Sequence, residues 1–205
     1  MGYDYLDILT TPFVRAAQDA NGSGSVYSRM KKASHRFTED ETSFIAAADS
    51  FYVASQSESG WPYIQHRGGP KGFLKVLNDQ TLGFADFRGN KQYITLGNIG
   101  TDDRVALIIV DYPNRARLKI LAHMRAIDLT NDPELAEKLA LPAYKAKVER
   151  AFILRLEAFD WNCPQHITPR FTVEEIEAAL TRLHERIEAL ESENVELRRQ
   201  AAERG

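Results

Sequence analysis

The chain has 205 residues, enough to bury one full core with an appendage. With 26 basic against 29 acidic residues and a formal net charge of −3, it carries no positive excess for a polyanion, so nucleic acid is not an expected partner. A soluble cytoplasmic protein is expected: no apolar run approaches the ~20 residues of a membrane span, no signal-peptide pattern opens the chain, and the single Cys163 excludes an intrachain disulfide.

Residues 1–37 read as a weakly committed leader. Thr11-Pro12 starts a short helix, and Asn21-Gly22-Ser23-Gly24-Ser25 breaks it. Thr38 with Glu41 forms a capping box, which predicts a helix through Phe44, Ile45 and Ala48. The period then changes to two. Residues 51–55 and 61–67 flank Ser57-Glu58-Ser59-Gly60 as a hairpin. After a glycine-rich turn at 68–72, residues 73–77 and 81–87 flank Asn78-Asp79 as a second.

The strand at 81–87 ends in Arg88-Gly89-Asn90-Lys91-Gln92. Two cations three apart, a glycine, and a helix expected over 91–97 with Asn90 as its cap make a phosphate-binding turn, against the alternative of a solvated basic turn. Farther on, 105–110 is wholly apolar and predicts a strand buried on both faces. Residues 117–127 alternate, with Leu118, Ile120, Ala122, Met124 and Ala126 on one side. Asp132-Pro133 starts a helix carrying Leu135, Leu139 and Tyr144, and 151–159 is the last strand. Short strands at hairpin spacing without βαβ alternation predict a mainly β fold: a six-stranded antiparallel barrel with peripheral helices.

Four blocks of this sequence carry a family resemblance: Pro62 with Gln65-His66-Arg67, the 87–92 stretch, Arg117-Leu118-Lys119-Ile120, and a late Trp161 followed by Arg170. Over about residues 38–170 the chain resembles the pyridoxamine 5′-phosphate oxidase-like flavoproteins, the FMN-binding split barrels. The resemblance implies a six-stranded split barrel, a homodimer, and FMN at the subunit interface. It places Gln65, His66 and Arg67 along the flavin. It puts Arg88, Asn90, Lys91 and Gln92 at the phosphate, and Arg117 and Trp161 near the ring. Gln65 and Asn90 stand where the true oxidases carry arginine, and the elements that close over pyridoxal phosphate are not recognisable.

Two functions therefore stay open. One is an FMN-dependent oxidoreductase acting on an unidentified small substrate. The other is a non-catalytic flavin- or tetrapyrrole-binding module, with deazaflavin or haem as alternative ligands. His66 is either a proton donor or a histidine satisfied by its neighbours, and Trp161 either stacks on the flavin or is a core aromatic. Cys163 and His166 are too few ligands for zinc, so no metal is expected.

The segment 171–205 is expected to be a coiled-coil dimerisation helix. Thr172 and Glu175 form another capping box. Ile176, Leu183, Leu190 and Leu197 fall at heptad position d, and Leu180, Ile187 and Asn194 at a.

Overall fold

A computed structural model describes residues 5–24, 35–161 and 164–203. The chain divides into two compact units, Met1–Asp111 with Ala116–Gln165, and Tyr112–Arg115 with His166–Gly205.

The first unit is one antiparallel sheet of seven strands: β1 (Ser50–Gln56), β2 (Pro62–Gly68), β3 (Lys75–Asn78), β4 (Thr81–Phe87), β5 (Arg104–Asp111), β6 (Ala116–Ile127) and β7 (Val148–Trp161). Their order is β2-β1-β5-β6-β7-β4-β3. The two predicted hairpins form: Gln56 opposes Pro62, and Asn78 opposes Thr81, with the Asn78 side chain accepting from Gln80 N at 2.9 Å. Around the sheet lie α1 (Tyr5–Leu9), α2 (Pro12–Ala20), α3 (Glu39–Ala47), α4 (Ile94–Asn98) and α5 (Pro133–Leu139).

The sheet rolls up on its own apolar face. Phe51 of β1 stacks on Phe73 at 5.6 Å and meets Phe84 of β4 edge-on at 5.2 Å, although three strands separate β1 from β4 in the ladder. Every second residue of β6 from Leu118 to Met124 is buried in the same core, with Phe152 and Leu154 of β7. These side chains hold the roll through apolar burial, at about 1.5–3 kcal/mol for each large one before chain entropy is subtracted.

Several expectations change. The six-stranded barrel becomes a seven-stranded sheet that is not closed: β2 and β3 end the ladder, and side chains bridge the β2–β4 gap. The run in β5 is half-buried, not buried on both faces, because Ala106 is exposed while Val105, Leu107 and Ile109 point inward. Tyr144 lies beyond α5 and packs against Phe87 at 5.0 Å. The leader is better committed than its composition suggests, since Tyr5 is buried with the Lys119 ammonium 4.7 Å above its ring. Cap chemistry matches the local sequence: Thr11, Glu41 and Asp132 accept or share the hydrogen bonds their positions predict.

In the second unit, α6 (Val173–Glu203) is a 31-residue helix opened by the expected capping box. Thr172 N donates to Glu175 Oε2 at 2.8 Å, and Glu175 N donates to Thr172 Oγ1 at 3.2 Å. No described helix is long and apolar enough to cross a membrane.

Candidate functional site

A cavity of about 260 Å³ opens where β2 and β4 fail to pair. Its lining includes Gln65, His66 and Arg67 from β2, Asn90 to Tyr93 from the loop after β4, and Thr95 and Leu96 from α4. Phe73, Phe84 and Phe152 lie just beneath this surface, each 2% exposed or less, the last two under the Arg67 guanidinium. Six of the nine residues singled out from the sequence thus border one space: Gln65, His66, Arg67, Asn90, Lys91 and Gln92.

Alternation along β2 turns Gln65 and Arg67 to the side opposite His66. The Arg67 guanidinium donates to Asp86 Oδ1 at 2.6 Å and lies 5.4 Å from the Phe152 ring centroid, a cation–π contact. Gln65 Nε2 donates to the His66 carbonyl at 3.1 Å and its Oε1 accepts from the Tyr63 hydroxyl. The His66 ring packs edge-on against Tyr52 at 5.4 Å.

Asp86 is the residue that sequence reading missed. It is only 6% exposed and stands in the otherwise apolar stretch Phe84-Ala85-Asp86-Phe87, where a lone carboxylate was the available signal. Burial pushes its carboxyl above the usual carboxylate range, while Arg67 and Arg150 pull the other way. From Asp86 an alternating chain of charge runs along the wall. Arg150 Nε lies 3.4 Å from Asp86 Oδ2, Arg150 also meets Glu149 at 3.3 Å, and Arg88 Nε donates to Glu149 Oε1 at 2.8 Å. The Arg88 hydrogen bond holds the Glu149 carboxyl below its usual range, and the Tyr93 hydroxyl adds a second at 3.1 Å.

The loop differs from its predicted form. Asn90 does not cap α4; its side chain accepts from Gln92 N at 3.1 Å, closing an Asx turn within the loop. Helix α4 starts later, at Ile94, after Tyr93. Lys91 (φ 60°) and Tyr93 (φ 52°) both sit in the left-handed region, which costs a non-glycine residue about 1–2 kcal/mol. Such strain persists where surrounding contacts enforce it: the Tyr93 hydroxyl is held by Glu149, and α4 is tied to β1 by Asn98 Nδ2 donating to Ser55 Oγ at 2.9 Å.

Of the residues lining the cavity, two carry a buried polar atom with no hydrogen-bond partner among the described residues, Arg67 Nε and Thr95 Oγ1; Arg150 Nε, 3.4 Å from Asp86 Oδ2 and outside the lining, also has none. Lys91 likewise has no ion-pair partner among them. An unmet buried donor costs about 1–3 kcal/mol unless something polar reaches it, so the two lining atoms point to a ligand.

The other three predicted site residues lie elsewhere. Arg88 is turned to Glu149 and does not border the cavity. Arg117, opposite Val110 in the β5–β6 ladder, has its Nε buried without a partner among the described residues. Trp161 ends β7; its Nε1 donates to Glu41 Oε1 at 2.6 Å, and its ring meets Phe44 edge-on at 4.7 Å. Of the Cys163–His166 pair, Cys163 lies outside the described residues. Among the described residues no three His, Cys, Asp or Glu side chains could hold a metal ion.

Glu41 thereby ties α3 to the end of β7. Burial pushes its carboxyl up, but the hydrogen bonds from Thr38 and Trp161 outweigh it and leave it below the usual range. Glu41→Ala is expected to cost about 2–3 kcal/mol in denaturant unfolding, the loss of charged hydrogen bonds on a buried group. A folded value below the unfolded one means the stabilisation is present above about pH 4.3 and lost as pH falls through the folded value. The gap between wild type and variant should therefore close on acidification; a gap independent of pH would show that packing alone accounts for it.

No protein-family model and no curated protein matches the chain. The solved structures similar to it include pyridoxamine 5′-phosphate oxidase-like and FMN-binding proteins. A candidate pyridoxamine 5′-phosphate oxidase from Lactobacillus delbrueckii is 22% identical, covering 64% of this chain and 99% of that one, with a TM-score of 0.48. An FMN-binding protein from Syntrophomonas wolfei is 12% identical, covering 74% and 97%, with a TM-score of 0.46. A protein from Clostridium acetobutylicum related to general stress protein 26, of the pyridoxinephosphate oxidase family, is 13% identical, covering 67% and 94%, with a TM-score of 0.45. At this level of likeness the functional reading rests on the site itself.

Proposed function

We propose that the chain binds FMN in the β2–β4 cavity and acts as an FMN-dependent oxidoreductase on a small substrate. The observation that carries this reading is the pair of buried atoms, Arg67 Nε and Thr95 Oγ1, that have no partner among the described residues, on a wall that also presents Tyr93 and a Lys91 with no ion pair among them. An isoalloxazine needs an apolar slot with a few fixed donors, and its phosphate needs cations and backbone N–H groups. Tyr93 and Ile94, exposed on the cavity, suit the first need, and Lys91 with the Asn90–Gln92 turn suits the second.

When bound, FMN would supply two-electron exchange. The residues would orient it. Arg67, fixed by Asp86, would keep positive charge beside the ring system, which favours an anionic reduced flavin. The reading includes a homodimer, and exposed Tyr52, Trp61 and Ile64 on the β1–β2 hairpin are the apolar side chains a second copy would cover. Deazaflavin shares the ring shape and would use the same wall.

A non-catalytic flavin- or tetrapyrrole-binding module is the second reading. It is favoured by Glu149, whose carboxylate already occupies Arg88 beside the proposed phosphate site. The absorption spectrum of the purified protein, with the released ligand weighed by mass spectrometry, is expected to show flavin and the mass of FMN. A haem spectrum would overturn the first reading and select the second; failure of both added FMN and added haem to bind would overturn both. Bound FMN with no turnover by reduced nicotinamide would select the second.

A further inference from the structure

Helix α6 carries a stripe that its own unit leaves open. Ile176, Leu180, Leu183, Ile187, Leu190 and Leu197 are each 42–57% exposed, and no described residue of the helix is buried. With Asn194 between the last two, their separations alternate four and three, an average of 3.5, so the stripe runs straight only if the helix supercoils about another helix. We infer that the occupant is α6 of a second copy of this chain, in a parallel, in-register, two-stranded coiled coil.

Charge placement supports a second copy over an unrelated partner. The ion pairs the helix makes within itself, Arg199 with Glu196 and Glu203, lie away from the stripe. Arg186, Glu191, Glu193 and Arg198 flank the stripe and have no ion pair among the described residues. In a parallel pair, position g faces e five residues on in the other chain, so Arg186 meets the partner's Glu191 and Glu193 the partner's Arg198. The surface is complementary to itself.

Charge alone does not fix direction, because Arg186 can also face Glu193 in an antiparallel pair. Asn194 decides it. At position a in a parallel pair the two Asn194 amides meet and hydrogen-bond across the axis. In the two antiparallel registers that overlap the stripe most fully, each Asn194 amide would be set against Leu183 or Ile176, a buried polar group facing an apolar one.

The test uses the full chain with Cys163→Ser and a spin label at Ala178→Cys or, separately, Glu185→Cys, both at outward heptad positions. For helices ~10 Å across, a parallel pair gives both sites the same interchain distance, under about 35 Å. A longer distance at 178 than at 185, by about 5 Å or more, would show antiparallel pairing and overturn the direction. No defined distance in that range at either site would overturn the pairing and leave the stripe to another partner. Adding Leu183→Glu with Leu190→Glu should abolish the short distances; their survival would mean the tails are held together by something other than this stripe. The inference is independent of the flavin reading, and FMN binding is expected to survive the double glutamate change.

Discussion

Asp86→Ala is expected to lower stability by about 2–4 kcal/mol, because it strands two guanidiniums that the carboxylate now neutralises. The figure is set below that for a fully buried pair, since the Arg67 and Arg150 side chains each keep 21% exposure and water would screen part of the loss. The damage should be local in kind. Arg67 is the bridge across the β2–β4 gap, where no backbone ladder exists, so its release opens the cavity as well as weakening the fold. Urea unfolding measures the first effect and ligand titration the second. A double-mutant cycle of Asp86→Ala with Arg67→Met isolates the pair: the double variant should be less destabilised than the sum of the singles. Simple additivity would show that Arg67 and Asp86 do not stabilise one another.

The largest effect on ligand is expected from Lys91→Ala. One charge-assisted phosphate contact contributes about 1.5–3 kcal/mol, so FMN affinity should fall roughly ten- to hundredfold. Riboflavin lacks the phosphate and should bind as before. The sequence paired Lys91 with Arg88 as equal clamps, but Arg88 is already held by Glu149, so Arg88→Ala should change FMN affinity by less than about threefold. Glu149→Gln should then strengthen FMN binding, by removing a competing carboxylate and freeing Arg88. Equal losses for FMN and riboflavin in Lys91→Ala would place the phosphate elsewhere. A large loss in Arg88→Ala would mean that Arg88 leaves Glu149 when ligand arrives.

Local chemistry was legible in the sequence wherever neighbours along the chain make the interaction. The capping boxes at Thr38 and Thr172, the Asp132 cap, the two hairpins and the alternation of β6 each involve residues a few positions apart, and each forms. The candidate cavity was legible in part for the same reason: Gln65-His66-Arg67 and Asn90-Lys91-Gln92 are contiguous blocks at strand ends. What joins the blocks was not. Arg67 and Asp86 are 19 residues apart, Arg88 and Glu149 61, and Glu41 and Trp161 120. No periodicity encodes a contact at such separations. The roll of the sheet decides which strand ends meet, and so which cation is left free and which is paired. It also decides closure. Strand count and spacing suggested a barrel, but whether the last edges pair depends on side chains across the gap, and here an ion pair and a cavity occupy it. For α6, the sequence by itself determined the stripe, the asparagine within it and the charges beside it, because a helix converts spacing into a face. The tertiary structure added that, within its own unit, the helix leaves that face exposed.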